Sequence, residues 1–274
     1  MKFADLHIHT NFSDGASTPK EVVELSVKNG LSCISITDHD TLDAIEPTLR
    51  QARLRDLEVI TGIEMSSELD NRELHILGYF INQRNKDLLD KLSSLKQIRI
   101  ERIYKMVEKL HSLGLKDIDA EEVIELSGRG TVGRAHLAMI MKKKGYVDSI
   151  SEAFFKLIGD KGPAYVGRFR FHPKEAIDLI HKAGGISVVA HPHSLINEGL
   201  IDKFVGYGLK GIEVYYPDYT KSQIEHYTEL ANKFGLLITG GSDSHGSIKK
   251  NTFIGKVKIP YELVEQLKKA KTIE

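Results

Sequence analysis

The sequence predicts an α/β fold built on a mostly parallel sheet closed into a barrel, and three observations carry that prediction. Short apolar runs end repeatedly in polar clusters, helical patterns stand between several of them, and those patterns open with proline and close at glycine. In chain order the runs are Phe3 to His9, Cys33 to Asp38, Glu58 to Glu64, His75 to Phe80, Ile186 to His191, Gly211 to Tyr215 and Leu236 to Asp243, and each reads as a strand. Pro19 to Lys28 reads as a helix closed by Asn29 and Gly30, and Pro173 to Ala183 as one closed by Gly184 and Gly185. Strands alternating with helices favour a parallel sheet whose functional groups gather at the carboxyl ends of its strands.

Between Asn82 and about Tyr165 the strand signal disappears. Leu88, Leu92, Leu95, Ile103, Val107 and Leu110 keep helical spacing up to Gly114. Asp119 with Glu122, and Ser149 with Glu152, mark two further helix starts. The economical reading is a helical insertion over 83–165 that forms part of the substrate site, set into a barrel made of 1–82 and 166–274. A chain of 274 residues has room for both.

Lysine plus arginine equals aspartate plus glutamate at 38 each, so no global positive field exists to hold long nucleic acid through many phosphate contacts. Locally the balance differs: Arg129 through Lys174 holds ten Lys or Arg against three Asp or Glu, an excess that requires a partner. The single Cys33 lies in an apolar run and reads as a small buried side chain rather than a redox group. Met1 leads straight into a strand with no signal-like segment, and no apolar run reaches membrane-spanning length. The expectation is a soluble, cytoplasmic protein with no membrane partner.

The first strand ends in His7-Ile8-His9, and alternation along a strand sends both imidazoles to one side, where they can grip one metal. Alone, a His-x-His pair is more often structural. Here Asp14 follows on a loop, and further runs end in or begin with Thr37-Asp38-His39-Asp40, Gly62-Ile63-Glu64, His75, Ala190-His191-Pro192-His193 and Gly241-Ser242-Asp243-Ser244-His245. Buried histidines and carboxylates need partners, and a cluster of divalent cations satisfies all of them together. Asp5 and Asp38 are placed to orient imidazoles, with metal contact open for Asp5; Asp40 reads as a helix cap.

The His-x-His-Thr start, the Ser-Asp-Gly loop, the Thr-Asp-His-Asp and Ala-His-Pro strand ends and the Gly-Ser-Asp-Ser-His terminus resemble the PHP (polymerase and histidinol phosphatase) superfamily of metal-dependent phosphoesterases. The resemblance covers Met1 to about Phe80 and about Phe171 to Glu274. It implies a distorted seven-stranded β/α barrel with two or three divalent metals, manganese, iron or zinc. It also implies that His7, His9, Glu64 and Asp243 hold one metal, that Glu64 bridges to a second held by His75 and His191, and that Asp14, His39 and His245 hold a third. Glu64, His191 and Asp243 would then serve catalysis by holding the metals that activate an attacking water.

The long insertion, Thr131-Val132-Gly133-Arg134-Ala135-His136 and Gly162-Pro163-Ala164-Tyr165-Val166 resemble the subgroup that includes nucleoside 3′,5′-bisphosphate phosphatases and a 5′-to-3′ exonuclease of short RNA. The expected substrate is therefore a small phosphorylated nucleotide or short oligoribonucleotide. Arg134 is the leading candidate to hold a second phosphate, because its planar fork can grip one bidentately. Arg168, alternating with Phe169, is another candidate, and His136 and His193 are assigned to phosphate contact or to a hydrogen bond behind the ligands. Lys142, Lys143 and Lys144 read as a solvated helix end, and Tyr215 and Tyr216 are both candidates to stack on a base, with at least one of them expected in the core. Two alternatives stand beside this: hydrolysis of histidinol phosphate or another sugar phosphate, and a non-catalytic, metal-stabilised accessory domain.

Overall fold

Each of the seven apolar runs contains a strand: β1 Phe3–Ile8, β2 Cys33–Ile36, β3 Glu58–Leu69, β4 Arg72–Tyr79, β5 Ile186–Val189, β6 Gly211–Tyr215 and β7 Leu237–Gly240. The computed structural model describes residues 1–70, 72–128, 130–167, 171–195, 197–249 and 252–273. Among these an eighth strand, β8 Ile259–Pro260, joins the sheet antiparallel to β1, giving the order β7-β6-β5-β4-β3-β2-β1-β8. Two residues carry too little periodicity to be read from sequence.

The sheet is mixed rather than mostly parallel. β1 to β3 pair in parallel, as do β5 to β7, but β4 runs antiparallel to both β3 and β5. Leu69 pairs with Arg72, a connection too short for the crossover helix that a parallel strand requires. His75 consequently lies within β4, paired with Ser66, and does not begin it. Because β4 is reversed, this places His75 at the same end of the sheet as the carboxyl ends of its neighbours.

The barrel nearly closes between β7 and β1. Ile8 and Ser244 form a parallel bridge, and the His9 N–H donates to the Ser244 carbonyl at 3.0 Å. A Cβ on Gly241 would stand 2.3 Å from the His7 nitrogen, so only glycine lets the two strands approach here. Asp5, buried, secures the seam: its two oxygens accept from the Ser242 and Gly255 N–H groups, each at 2.8 Å. Its role is to tie backbone, not to orient an imidazole, and burial raises its pKa to about 6.

Helices α1 Pro19–Lys28, α2 Ile45–Arg53, α3 Lys86–Ser112, α4 Ala120–Leu126, α5 Arg134–Lys143, α6 Ile150–Ala153, α7 Pro173–Lys182, α8 Gly199–Gly206, α9 Lys221–Phe234 and α10 Tyr261–Ile273 complete the chain. α1 starts at a reciprocal Thr18–Glu21 capping box, and α2 is preceded by Ala44, so Asp40 is not its cap. Segment 83–165 is helical and holds its own apolar cluster, including Met106, Leu110, Val123, Leu137 and Met141. Five of the ten basic residues have local partners: Lys143 and Lys144 reach Glu122, Lys156 reaches Glu152, Lys174 reaches Asp178, and Arg134 reaches Asp160. Among the described residues no helix is long and apolar enough to cross a membrane.

Candidate metal centre

The nine side chains expected to hold metals meet at one end of the barrel, around Glu64. Its Oε2 lies 3.3 Å from His7 Nε2, 3.1 Å from His9 Nε2 and 3.3 Å from His39 Nδ1. Its Oε1 lies 2.8 Å from His75 Nδ1 and 3.1 Å from His191 Nε2. Asp243 Oδ1 is 3.4 Å from His7 Nε2, 3.3 Å from His9 Nε2 and 3.5 Å from His245 Nδ1. Asp14 faces His9 at 3.7 Å, His39 at 3.9 Å and His245 at 3.3 Å. Three groups have donor atoms close enough together to hold an ion: His7, His9 and Asp243; His39, Glu64 and His75; and His9, Asp14, His39 and His245.

Local structure explains how each loop delivers its ligand. Asp38, expected to orient an imidazole, instead accepts from the Thr10 N–H at 2.7 Å, the Thr10 hydroxyl at 2.6 Å and the Ser13 hydroxyl, pinning the loop that presents Asp14. His191 and Asp243 take left-handed backbone conformations, with φ of 27° and 46°. Such angles are uncommon for residues other than glycine, and both residues turn their side chains into the cluster.

Electrostatics show what the cluster lacks. Burial alone would depress the His7 and His9 imidazoles, but carboxylates reverse this: Glu213, Glu64 and Asp243 hold His7 well above its usual range, and Asp243 and Glu64 bring His9 to about 9. Burial would likewise raise Glu64 and Asp243, yet the histidines around them hold both well below the carboxylate range. Burial does prevail at His39, pushed down to about 3. Concentrated buried negative charge is thus drawing protons onto imidazoles, the place a divalent cation takes when those imidazoles are neutral. His9 Nε2, His39 Nδ1 and Asp14 Oδ1 are buried and make no well-formed hydrogen bond among the described residues. A donor set of imidazole and carboxylate with unsatisfied atoms aimed inward fits divalent metals.

Two cavities open from the cluster and share His39 and His75 as a wall. One, of about 170 Å³, is lined by Asp14, Ser66, Glu73, Arg99, Arg134 and Phe154. The other, of about 260 Å³, is lined by His191, His193, Tyr216, Asp243, His245 and Lys249.

A family model described as the PHP domain matches residues 5–164. The chain belongs to the PHP family. The match runs through the helical segment as well as the first four strands. Among relatives, a 5′-3′ exoribonuclease of Haemophilus influenzae is 31% identical over 88% of this chain and 89% of its own length. A phosphoribosyl 1,2-cyclic phosphate 1,2-diphosphodiesterase of Eggerthella lenta is 28% identical over 92% and 97%. A 3′,5′-nucleoside bisphosphate phosphatase of Chromobacterium violaceum is 28% identical over 89% and 88%. A metal-dependent phosphoesterase of known structure from Bifidobacterium adolescentis superposes with a TM-score of 0.88 at 29% identity, covering 96% of this chain and 94% of that one. This PHP protein is a metal-dependent phosphoesterase.

The phosphate-binding candidates are spread around the PHP cluster. Arg134 lines the smaller cavity, but its guanidinium is already engaged, with Nη1 2.7 Å from Asp160 and Nη2 3.4 Å from Glu73. His193 lines the larger one, its Nδ1 2.8 Å from the Tyr219 hydroxyl. His136 lines neither; its Nδ1 accepts from the Gly133 N–H at 3.1 Å at the start of α5, a capping contact. Arg168 lies outside the described residues. Tyr216 turns towards Asp243, donating to Oδ2 at 2.6 Å, while Tyr215 packs against the core.

Sequence reasoning missed several site residues, among them Glu213, Arg99, Lys249 and Glu73. Glu213 on β6, wholly buried, sits 2.9 Å from His7 Nδ1; it is the lone charge within an apolar strand, and that was its signal. Arg99 continues the apolar stripe of α3 four residues after Leu95, and its Nε donates to Asp40 Oδ2 at 3.0 Å while Nη2 donates to the Ser66 hydroxyl at 2.8 Å. A charge on a buried stripe demands such partners. Lys249 pairs with Asp243 and reaches the Tyr216 hydroxyl at 3.1 Å from a loop with no sequence pattern to reveal it.

Proposed function

We propose that this phosphoesterase removes a phosphate from a small nucleotide carrying two, such as a nucleoside 3′,5′-bisphosphate, and also acts on short RNA from its 5′ end. The single observation that supports it most is the cavity bearing Arg99 and Arg134, which opens directly onto His39 and His75. A phosphate at the cluster and a second anionic group at the arginines would be neighbours in one substrate.

Metals held by the nine side chains would supply polarisation of phosphate oxygens and a water of lowered pKa. The chain's own part is to place the ester. Glu64, His191 and Asp243 hold the cluster in shape, Arg134 offers a forked donor to the second phosphate with Arg99 beside it in the cavity wall, and His193, Tyr216 and Lys249 line the opposite side. The helical segment 83–165 acts as an insertion in this reading, because α3 and α5 provide Arg99 and Arg134. A substrate held at two points is positioned for in-line attack without help from long nucleic acid.

A second reading is a sugar-phosphate ester, favoured by the Eggerthella lenta relative, whose named substrate is a phosphoribosyl compound and which matches over 97% of its length. Phosphate release from adenosine 3′,5′-bisphosphate, AMP and a panel of sugar phosphates, together with mononucleotide release from a 5′-phosphorylated short RNA, at matched metal loading, separates them. A higher kcat/KM on the bisphosphate than on AMP supports the first reading; preference for a sugar phosphate overturns it.

A further inference from the structure

We propose that Glu213 is a positioning residue that fixes which nitrogen of His7 faces the cluster and holds the strained backbone of His191. The inference rests on the reading of the cluster as a metal centre, and it is independent of the substrate.

Glu213 is wholly buried, and its neighbours Ile212 and Val214 point the other way, into the core outside the sheet. One of its oxygens lies 2.9 Å from His7 Nδ1, and the other accepts the His191 backbone N–H at 2.7 Å. A carboxylate oxygen 2.9 Å from Nδ1 takes the hydrogen bond of that nitrogen, which puts the proton of a neutral His7 on Nδ1. The lone pair is then on Nε2, the atom facing Glu64 and Asp243. On the opposite side of Glu64 the same device operates in mirror order: Glu73 lies 2.7 Å from His75 Nε2, leaving Nδ1 to face Glu64. Two imidazoles thus present opposite nitrogens, each according to where its supporting carboxylate stands.

The second bond gives Glu213 a role that an orienting group alone would lack. His191 has φ 27° and ψ 66° immediately after β5, a conformation that brings Nε2 within 3.1 Å of Glu64. In that conformation its N–H donates to Glu213. One carboxylate therefore couples β1 and the end of β5, two elements that are not adjacent in the sheet.

The test is Glu213→Gln. The glutamine oxygen can keep the bond to the His191 N–H, but its NH₂ group then faces His7 Nδ1 and drives the imidazole proton to Nε2, the nitrogen meant for metal. Calorimetric titration with Zn²⁺ should show one site weakened by roughly 10- to 100-fold. In Zn²⁺-loaded wild type, ¹⁵N-edited NMR should find the His7 proton on Nδ1, a measurement that stands even if the variant fails to fold. Unchanged Zn²⁺ affinity in a folded variant, or a His7 proton on Nε2 in the wild type, overturns the assignment. A wild type that binds neither Zn²⁺ nor Mn²⁺ nor Fe²⁺ overturns the metal-centre reading with it, whereas a change in preferred substrate touches neither.

Discussion

Arg134 and Glu73 meet across the smaller cavity with Nη2 3.4 Å from Oε2, while the other Glu73 oxygen lies 2.7 Å from His75 Nε2. The arginine proposed to recognise the second phosphate is therefore connected through one carboxylate to a histidine of the cluster. An arriving phosphate shares or replaces the carboxylates that now neutralise Arg134, so recognition is an exchange of anions rather than capture by an idle cation.

Arg134→Ala should accordingly impair substrates with two phosphates selectively. Loss of a charge-assisted contact costs roughly 1.5 to 3 kcal/mol, or about one to two orders of magnitude in kcat/KM. AMP and a sugar phosphate should change much less, at unchanged metal content. Equal losses on all substrates would assign Arg134 to the cluster instead.

The purified protein should hold at least two divalent metals per chain, and His9→Ala or Glu64→Ala should lose metal and hydrolysis together. Glu64 faces five histidines of the cluster, whereas Asp14 faces only those of one group. Asp14→Ala should consequently release less metal than Glu64→Ala in elemental analysis. Full metal content in the Glu64 variant would sink the assignment.

Stability of the metal-free protein should fall as pH rises from about 6.5 to about 9. His9 has its pKa raised from 6.5 to about 9 by Asp243 and Glu64 against the effect of burial, and His7 is raised as well. A group bound more tightly to its proton when folded contributes fully below its unfolded pKa, and that contribution is lost through the folded pKa. Metal ions replace those protons, so saturating Mn²⁺ should abolish the decline. Thermal unfolding in chelator and in Mn²⁺ between pH 6 and 9.5 measures both curves; a chelated protein whose Tm rises over this range would contradict the argument.

Arg99→Met should destabilise the fold by roughly 3 to 5 kcal/mol, because it abandons a buried Asp40 carboxylate. Pairing it with Asp40→Asn should recover part of the loss. Urea unfolding of both single variants and the double variant gives the coupling; strictly additive losses would mean that the pair does not act as a unit.

Histidines and acids at the ends of apolar runs disclosed the cluster from sequence, because an apolar strand ending in His7-Ile8-His9 or Asp243 leaves the buried polar group in need of a partner. Helices α1 and α7 read as easily, since Pro19 and Pro173 at their starts act within a turn of their own backbone. Local chemistry determines local structure, and the sequence by itself determined that much: seven strands, the helical segment and the histidines and acids at the strand ends, from which the resemblance to the PHP superfamily selected nine.

Tertiary structure decided the rest because the partners are far apart in the chain. β4 is antiparallel through a pairing that periodicity alone does not specify, and β8 is a strand only because β1 offers it an edge. Glu213 gains its position from His7, 206 residues away, and Lys249 gains its own from Asp243 and Tyr216. Asp5 and Asp38, read beside their ligand neighbours, instead satisfy backbone and hydroxyl donors of other loops. Which acid faces a metal and which secures a loop depends on the closing of the barrel, where side chains distant in sequence compete for the same few ångströms.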